Sequence, residues 1–313
     1  MTVAEFCPPT SHLHAPVTAI VRAARAAQGP ESNRLLPLAV LGAISGDPAP
    51  AAPVCVVSSL WSAGAEAVDD LVDLGAAAEP VAATLTPAEL LVAGTVCLTQ
   101  LPALAIERLD IPEALARQWR RDLAEGTLTS ADGQLADTAR DPHALDWGRV
   151  MRAYRAKTGS SYARDALMAA RCAVDEPAAL RAWHVLGQLL GVLRQVHNDN
   201  AERTPEDDED LANGTPTLLL SHALEAASPE ERGRLFELRS LAREDLGARA
   251  ELRGLLHMSS CVAGYRARIG ALHARAHGLL ERLAEPSPYR TVIRSRIDDS
   301  AALAIPEHTR IAE

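Results

Sequence analysis

The stretch Asp69-Asp70-Leu71-Val72-Asp73 ends an apolar run that begins at Pro53 and contains one charged residue, Glu66. On a helix Asp69 and Asp73 share a face, with Asp70 one position round. Like charges at that spacing repel each other and destabilise a helix by about 0.2–0.5 kcal/mol per pair. Such a cluster suits Mg²⁺, which binds carboxylate and phosphate oxygens and retains several waters. The motif therefore predicts a magnesium site at the end of an apolar helix, with a solvated helix end as the alternative.

A second predicted helix, over about 177–201, also ends in acidic groups. Carboxylates are unfavourable there, because the last carbonyl groups of a helix already carry partial negative charge. The candidate ligands at this end are Asn198, Asp199 and Glu202. Glycine destabilises a helix by about 1 kcal/mol relative to alanine, so glycines aligned on one face indicate a cavity or a tight helix contact. Four residues form such a line at steps of four: Gly187, Gly191, Gln195 and Asp199.

The composition predicts an all-α protein, because alanine and leucine dominate a hydrophobic content of 48% and β-branched residues are few. We interpret 1–313 as a single helical domain of about ten to twelve helices, with loose tails at 1–14 and 297–313 and a mobile acidic loop at 202–216. Polar turns are predicted between helices, for example at 127–133. The helices are predicted at about 15–28, 33–44, 54–74, 88–106, 112–125, 143–157, 160–173, 177–201, 217–226, 229–246 and 247–284.

The net charge of −10 argues against nonspecific binding to nucleic acid or to an anionic membrane surface. The five cysteines are odd in number and widely spread, which is typical of buried thiols in a reducing cytosol. No basic-then-apolar leader is present at the N-terminus, and no uncharged apolar run reaches about 18 residues. We therefore expect a cytoplasmic protein that is not an integral membrane protein.

In the order and spacing of four motifs, the chain resembles the trans-isoprenyl diphosphate synthases from about residue 15 to 285. They form the polyprenyl synthetase family of the class I isoprenoid synthase superfamily. The segment 69–73 resembles the first aspartate-rich motif, and 195–202 resembles the second, Q-x-x-D-D-x-x-D. Lys157-Thr158-Gly159 resembles the KTG motif, whose lysine contacts the substrate diphosphate. Residues 210–218 resemble the D-L-x-x-G-K-x-T-L segment that follows the second motif.

The resemblance implies a helical bundle around a central cavity, and a homodimer. It implies an allylic prenyl diphosphate (geranyl, farnesyl or geranylgeranyl) as substrate and Mg²⁺ as cofactor, with three ions when substrate is bound. The implied catalytic and metal-binding residues are Asp69, Asp70, Asp73, Asn198, Asp199 and Glu202. The residues expected to bind the diphosphate are Lys157, Thr158 and Gln195. The candidate pocket residues are Trp61, Ala65, Trp183, Gly187 and Gly191.

The chain departs from the family pattern where the family binds the second diphosphate, that of isopentenyl diphosphate. Asn33 and Leu36 stand in place of a lysine and an arginine, and Ser62 in place of a histidine. No arginine or lysine occurs within 74–101, where the family has an arginine pair. A trianionic group bound without these cations would keep its charge uncompensated. We therefore expect no ordinary chain elongation. Asn198, Glu202 and Thr215 also depart from the family residues, which have aspartate at the first two positions and lysine at the third.

Three functions fit this pattern. The first is a terpene synthase, in which the ionised allylic diphosphate cyclises or is quenched by water. The second is a prenyltransferase to a peptide or a small molecule, because the altered motif beginning Asn198-Asp199 is similar to that of peptide-prenylating relatives. The third is a non-catalytic partner subunit of a prenyl synthase. An aromatic content of 3% disfavours cyclisation, since cyclases stabilise cations against aromatic faces. Trp61 and Trp183 are the candidates for that role, with core packing as the alternative.

Overall fold

The computed structural model describes residues 3–26, 35–72, 84–137, 145–201, 204 and 208–302. Within these ranges every regular element is helical, which confirms the predicted all-α fold class. The α-helices are α1 (Val3–Phe6), α2 (His14–Ala26), α3 (Leu36–Ser45), α4 (Ala52–Val72), α5 (Pro87–Thr95), α6 (Leu101–Glu107), α7 (Glu113–Asp137), α8 (Trp147–Lys157), α9 (Gly159–Ala170), α10 (Pro177–Asp199), α11 (Glu209–Asn213), α12 (Leu218–Ala226), α13 (Pro229–Leu241), α14 (Leu246–Leu256), α15 (Ser259–Leu283) and α16 (Pro288–Ala301).

The chain divides into two compact units. Unit 1 comprises Met1–Thr127, Arg164–His184 and Ala284–Ile293. Unit 2 comprises Leu128–Ala163, Val185–Leu283 and Arg294–Glu313. The interpretation of 1–313 as a single domain stays a prediction.

Helix α4 is the central helix of unit 1, and α2, α3, α5 and α6 pack against it. A helix that is apolar on nearly every side is stable only when it is buried. The buried side chains of α4 are Val54, Val57, Leu60, Trp61, Ala63 and Ala67. The apolar run that precedes Asp69 is therefore a core helix, and the aspartates lie where it leaves the core.

Helix α5 begins as the sequence predicts, with Thr86 as the N-cap and Pro87 as the first helical residue. The Thr86 side chain accepts a hydrogen bond from the Glu89 backbone N–H at 3.2 Å, and the Glu89 carboxylate accepts one from the Thr86 backbone N–H at 2.9 Å. This capping box satisfies two otherwise unpaired donors of the first turn. A π-helical turn, Val96–Gln100, joins α5 to α6 just before Pro102, which has no N–H to continue the α-helical pattern.

Helix α12 is the central helix of unit 2, where it packs against α8, α14 and α15. Thr217 caps it by accepting a hydrogen bond from the Leu220 N–H at 3.2 Å. The preceding short helix, α11, ends at Gly214, whose φ of 68° lies in the left-handed region that favours glycine. The segment 210–218, which the sequence compares with a family motif, is thus a helix end followed directly by a helix start.

Helix α7 runs without a break through 127–133. The prediction of a polar turn there is therefore wrong. Tertiary contacts override the weak helix propensity of threonine and glycine here. Within unit 1, Thr127 Oγ1 accepts a hydrogen bond from Trp61 Nε1 at 2.8 Å. Within unit 2, Gly133 lies against the backbone of Lys157 so closely that no side chain would fit.

Two later boundaries also differ from the prediction. The single helix predicted over 247–284 is two helices, because α14 ends at Leu256 with His257 as its C-cap and α15 starts at Ser259. The predicted loose tail at 297–313 is helical over 297–301, because Ile297 is fully buried and fixes the last turn of α16. Residues 303–313 lie outside the described part of the chain.

The predicted acidic loop at 202–216 contains the short helix α11. Asp208 caps this helix by accepting a hydrogen bond from the Leu211 N–H at 3.2 Å, and it also forms an ion pair with Arg253 at 2.7 Å. Of this stretch, residues 202–203 and 205–207 lie outside the described residues. The part that is described is held by an N-cap, an ion pair and the C-capping Gly214.

Two apolar stretches, Ala49–Leu71 and Pro87–Glu107, are long and apolar enough to cross a membrane by length and composition alone. Core helices of soluble proteins meet the same criterion, and here 50% and 44% of the two apolar windows are buried inside the protein. The two stretches also pack against each other in unit 1. They are weak evidence for a membrane protein, and the cytoplasmic location stays a prediction.

Gly64 on α4 tests how tightly this core is packed. A Cβ at this position would overlap the backbone of Leu98 in the π-helical turn and would lie 2.7 Å from the Gly94 carbonyl oxygen. We expect Gly64→Ala to lower the free energy of unfolding by at least about 2 kcal/mol, because neither backbone can move independently of its helix. Urea denaturation followed by circular dichroism measures this.

Gly233→Ala on α13 is the matched control, because a Cβ there would meet no atom within 4 Å. We expect it to raise the free energy of unfolding by up to about 1 kcal/mol through helix propensity. Equal effects of the two substitutions would contradict the close α4 contact.

Candidate functional site

The first acidic helix end is built by the last turn of α4. Asp69 and Asp70 are both partly exposed there, and this turn contains no basic residue. Asp73 lies outside the described residues. Adjacent carboxylates offer only hard oxygen ligands, so the donor set of this turn fits Mg²⁺. The structure therefore keeps two of the three predicted aspartates accessible at one helix end.

Trp61 lies two helical turns before Asp69, and its indole is buried. Its Nε1 donates to Thr127 Oγ1, and the guanidinium of Arg164 lies over the ring face at 4.3 Å from the centroid. A cation of the protein therefore already occupies one face of this indole. Trp183, the second candidate, is 1% exposed in the core. Both tryptophans thus contribute to packing in unit 1.

Arg164 is a buried cation in the core of unit 1. Its Nε and Nη2 donate to Asp165 Oδ1 at 2.9 and 2.7 Å, and Ser58 Oγ donates to the other oxygen, Oδ2. The arginine and aspartate side chains are 1% and 8% exposed. The sequence analysis did not identify this pair, because Arg164-Asp165 reads as an ordinary polar dipeptide on an amphipathic helix.

Small residues precede the first motif on α4, among them the predicted pocket residue Ala65. Ala65 is partly buried and packs against the core of unit 1. Its neighbours Ala63 and Ala67 are buried, and Gly64 lies directly against the π-helical turn. At least part of this small-residue surface therefore serves helix packing.

The second acidic helix end is built in unit 2 by a chain of hydrogen bonds between α8 and α10. Thr158 Oγ1 donates to Gln195 Oε1 at 2.5 Å, and Gln195 Nε2 donates to Asp199 Oδ1 at 2.8 Å. The hydroxyl of Tyr154 donates to Asp199 Oδ2. Three predicted site residues, Thr158, Gln195 and Asp199, are therefore brought together. A carboxylate has about four lone-pair positions, so Asp199 retains capacity for a metal ion.

Tyr154 is the residue of this cluster that the sequence analysis missed. It is buried, and its oxygen accepts a hydrogen bond from the Leu218 N–H at 3.2 Å while donating to Asp199. Burial, and next the charge of Asp199, raise the pKa of Tyr154 well above its usual value, so the hydroxyl stays protonated. A signal existed, since Tyr154 lies one turn before Thr158 on the same helix, but the partner helix cannot be read from the sequence.

Lys157 is the last residue of α8 and is partly exposed. Its backbone carbonyl accepts a hydrogen bond from Ser130 Oγ at 2.9 Å, and Gly133 lies against its backbone N–H. These contacts fix the main chain of Lys157 on α7. With its backbone fixed, Lys157 has a flexible side chain whose ammonium group can reach a ligand.

The glycine line on α10 makes a tight helix contact. A Cβ at Gly191 would lie 2.8 Å from Gly159 Cα and 2.9 Å from the Thr158 carbonyl oxygen. Gly187 is also buried. Gly191 therefore lets α10 approach the start of α9, and this approach sets Gln195 one turn later within reach of Thr158. Of the two roles expected for the glycines, the contact is the one observed at Gly191.

The remaining residues of the second motif differ in their surroundings. Asn198 is exposed at the end of α10, and Glu202 lies outside the described residues. The Nδ1 atom of His197 lies 3.1 Å from the carbonyl oxygen of Ala302. Asn200 is buried, and its Nδ2 donates to the Val196 carbonyl at 2.6 Å and to the Tyr265 hydroxyl at 3.1 Å. The end of α10 is thus anchored on both sides of Asn198.

Two of the positions where the family has cations can be located. Leu36, at the place of an arginine, is 2% exposed in the core, and Ser62, at the place of a histidine, is partly exposed on α4. Asn33, at the place of a lysine, lies outside the described residues. A buried leucine offers no hydrogen bond to a diphosphate. Position 36 therefore cannot contribute to binding a second diphosphate.

Comparison with known proteins agrees with this architecture. The polyprenyl synthetase family model matches residues 103–253. Geranylgeranyl pyrophosphate synthetase from Pyrococcus horikoshii Ot3 superposes with a TM-score of 0.82 at 17% identity, covering 96% of this chain and 93% of that one. Polyprenyl synthetase from Streptomyces coelicolor A3(2) gives 0.79 at 18% identity, covering 95% and 94%.

Geranylgeranyl pyrophosphate synthase from Corynebacterium glutamicum, in complex with isoprenyl diphosphate and magnesium, gives a TM-score of 0.78 at 17% identity, covering 95% of this chain and 94% of that one. Comparison with curated proteins gave no match. At these identities the structures establish the fold. The family model, which matches just under half of the chain, supports the predicted resemblance to the trans-isoprenyl diphosphate synthases.

Tyr154→Phe tests the anchoring of Asp199. The substitution leaves a carboxylate oxygen and the Leu218 N–H without the hydroxyl, and hydrogen bonds to charged groups contribute about 1.5–3 kcal/mol. We expect the free energy of unfolding in urea to fall by about that amount. Tyr265→Phe is the matched control: it removes a buried hydroxyl that accepts from the neutral Asn200, worth about 0.5–1.5 kcal/mol. A smaller loss for Tyr154→Phe than for Tyr265→Phe would contradict the role given to Tyr154.

Arg164→Met tests the buried ion pair of unit 1. The variant leaves Asp165 as a buried charge without its main partner, so we expect unfolding to require about 3–5 kcal/mol less free energy. Arg121→Met is the control, because Arg121 pairs with Glu125 at 2.7 Å on the exposed side of α7 and should be replaceable without measurable loss. Urea denaturation measures the free energy of unfolding of both variants. Equal losses for Arg164→Met and Arg121→Met would contradict a stabilising role of the buried ion pair.

Proposed function

We propose that the protein is a divalent-cation-dependent enzyme of the prenyl diphosphate synthase type that transfers an allylic prenyl group to an acceptor other than isopentenyl diphosphate. The observation that carries this proposal is the hydrogen-bonded cluster of Tyr154, Thr158, Gln195 and Asp199 in unit 2. A non-catalytic subunit would have no need to hold a carboxylate in place at a helix end that disfavours it.

The metal and the substrate class are supported by the donor set and by the comparisons. Asp69 and Asp70 offer hard oxygen ligands at one accessible helix end, and Asp199 is held at another. The similar synthase from Corynebacterium glutamicum was crystallised with isoprenyl diphosphate and magnesium. We therefore propose Asp69, Asp70, Asp73, Asn198, Asp199 and Glu202 as ligands of Mg²⁺. The number of ions, three with substrate bound, is part of the same proposal, as is the homodimer.

In this proposal the carbon–oxygen bond of the allylic diphosphate breaks heterolytically. Bound Mg²⁺ supplies charge neutralisation for the leaving diphosphate. Lys157 and Thr158 would bind the diphosphate, Thr158 by turning its hydroxyl hydrogen from Gln195 to a diphosphate oxygen. Gln195 orients Asp199 through its amide N–H. The allylic carbocation then forms a bond to a nucleophilic atom of the acceptor, or loses a proton to give an olefin. In either case the released diphosphate takes up the proton.

The acceptor is the point at which this chain differs from its relatives. Ordinary elongation needs cations for a second diphosphate, and position 36 carries a buried leucine while 74–101 contains no lysine or arginine. Terpene cyclisation uses the same ionisation step, and it was the first function expected from the sequence. Transfer is favoured over cyclisation because Trp61 is covered by Arg164 and Trp183 is in the core. A peptide or a small molecule without a diphosphate is the acceptor class that fits.

The test is Mg²⁺-dependent release of diphosphate from geranyl, farnesyl and geranylgeranyl diphosphate, with products identified by mass spectrometry. We expect slow release with water as the acceptor, abolished by EDTA. Asp69→Ala should lower the rate by at least about 100-fold, because several kcal/mol of charge stabilisation in the transition state are lost. Glu66→Gln is the matched control, since Glu66 is an exposed acidic residue of the same helix and should retain the rate.

Release that survives EDTA, or an Asp69→Ala variant within twofold of wild type, would overturn the metal role. Cyclic hydrocarbons as the main products would show that the protein is a terpene synthase and not a prenyltransferase. Absence of release from all three diphosphates, with Mg²⁺ and a library of short peptides present, would favour the non-catalytic subunit.

A further inference from the structure

A cluster of three metal-binding side chains lies in unit 2, outside every motif discussed above. His273 and His277 are on α15, four residues apart, and Asp298 is on α16. Histidines at that spacing share one helix face and can bind one metal ion together. One ligand atom from each residue lies within 4.8 Å of the other two. The sequence His273-Ala274-Arg275-Ala276-His277 carried this signal, but its carboxylate partner is 21 residues further on.

The three ligand atoms converge on one point. His273 Nε2 and His277 Nε2 each lie 2.7 Å from Asp298 Oδ1, and the two nitrogens lie 3.0 Å apart. Ligands at about 2.1 Å from a six-coordinate ion lie about 3.0 Å from one another, and those of a tetrahedral zinc about 3.3–3.4 Å. The triangle therefore has nearly the size of one face of a metal coordination shell.

The triangle can be held by protons or by a metal ion. An imidazole Nε2 atom either donates one hydrogen or accepts one. When both nitrogens carry hydrogens, both donate to Asp298 Oδ1. When both nitrogens lack their hydrogens, three lone pairs face the same point, and a metal cation placed there would be bound by all three atoms.

The surroundings hold the ligands in place. Ile297 and Ser300, on either side of Asp298 in α16, are buried, and Ala276, between the histidines in α15, is fully buried. His277 is 17% exposed and His273 33% exposed at the side chain, so solvent and an ion can enter. Ligands fixed on two packed helices lose little conformational freedom on binding, which favours affinity.

We propose that His273, His277 and Asp298 form a binding site for a first-row divalent transition metal of the Zn²⁺ type, separate from the Mg²⁺ ligands proposed above. Two imidazoles and one carboxylate suit Zn²⁺, whereas Mg²⁺ prefers oxygen ligands alone. With three protein ligands, one or more waters complete the shell. The ion joins α15 to the end of α16, where the Ala302 carbonyl contacts His197 of the second acidic motif.

The test is titration of the full chain with Zn²⁺ alone, in the presence of excess Mg²⁺ to occupy carboxylate-only sites. Isothermal calorimetry and competition with a chromogenic chelator give stoichiometry and affinity. We expect one tight site in the wild type and a higher melting temperature on binding. His277→Gln and Asp298→Asn should each weaken this site by more than about 10-fold, because even loss of a partner behind the ligands costs about 10–100-fold.

Two variants are matched controls. Asp299→Asn changes the adjacent exposed carboxylate, and His12→Gln removes an exposed histidine far away in the sequence, so both should bind Zn²⁺ as the wild type does. Circular dichroism confirms that each variant is folded, and Co²⁺ in place of Zn²⁺ gives a visible spectrum that reports its ligands. No saturable Zn²⁺ binding by the wild type, or unchanged affinity in both His277→Gln and Asp298→Asn, would overturn the proposal.

Discussion

Asp199 is a carboxylate at the C-terminal end of a helix, where the helix carbonyls repel it, and its position depends on donors from a neighbouring helix. Tyr154 donates to one of its oxygens and Gln195 to the other. Gln195 reaches Thr158 because Gly191 lets α10 lie against the start of α9. The KTG-like segment and the second acidic motif are thereby one structural element. The candidate chemistry of unit 2 rests on this small set of contacts.

The proposed function rests on the contrast between the acidic groups that this chain has and the basic groups that it lacks. Carboxylates for metal ions are accessible at the end of α4 and anchored at the end of α10. The groups that would neutralise a second diphosphate are not retained, and Leu36 has become part of the core. The ionisation of a single diphosphate, as proposed above, is in agreement with both observations.

Much of the fold followed from the sequence because its signals are local. Thr86-Pro87 predicted the start of α5, and the apolar run before Asp69 predicted a long helix with acidic residues at its end. The errors arose where long-range contacts decide. Thr127 and Gly133 have poor helix propensity, yet α7 continues through them because Trp61 and the backbone of Lys157 pack against them.

The residues of the candidate site also fall into those predicted from the sequence and those found only in the structure. Spacing along one helix identified Gln195 and Asp199 as neighbours, and the motif order identified Thr158. Tyr154 and the triad at His273, His277 and Asp298 became visible only when two helices were placed together. The pairing of Arg164 with Asp165 could not be predicted from the sequence either. Only the three-dimensional structure shows that the Arg164 guanidinium lies over one face of the Trp61 indole.

We propose that this protein ionises one allylic diphosphate and does not condense it with isopentenyl diphosphate. The most direct measurement incubates the protein with Mg²⁺, farnesyl diphosphate and radiolabelled isopentenyl diphosphate, and separates the prenyl products by chain length. We expect release of diphosphate from the allylic substrate, with no label in a longer prenyl diphosphate. Labelled geranylgeranyl diphosphate or longer products, formed over many turnovers, would contradict it.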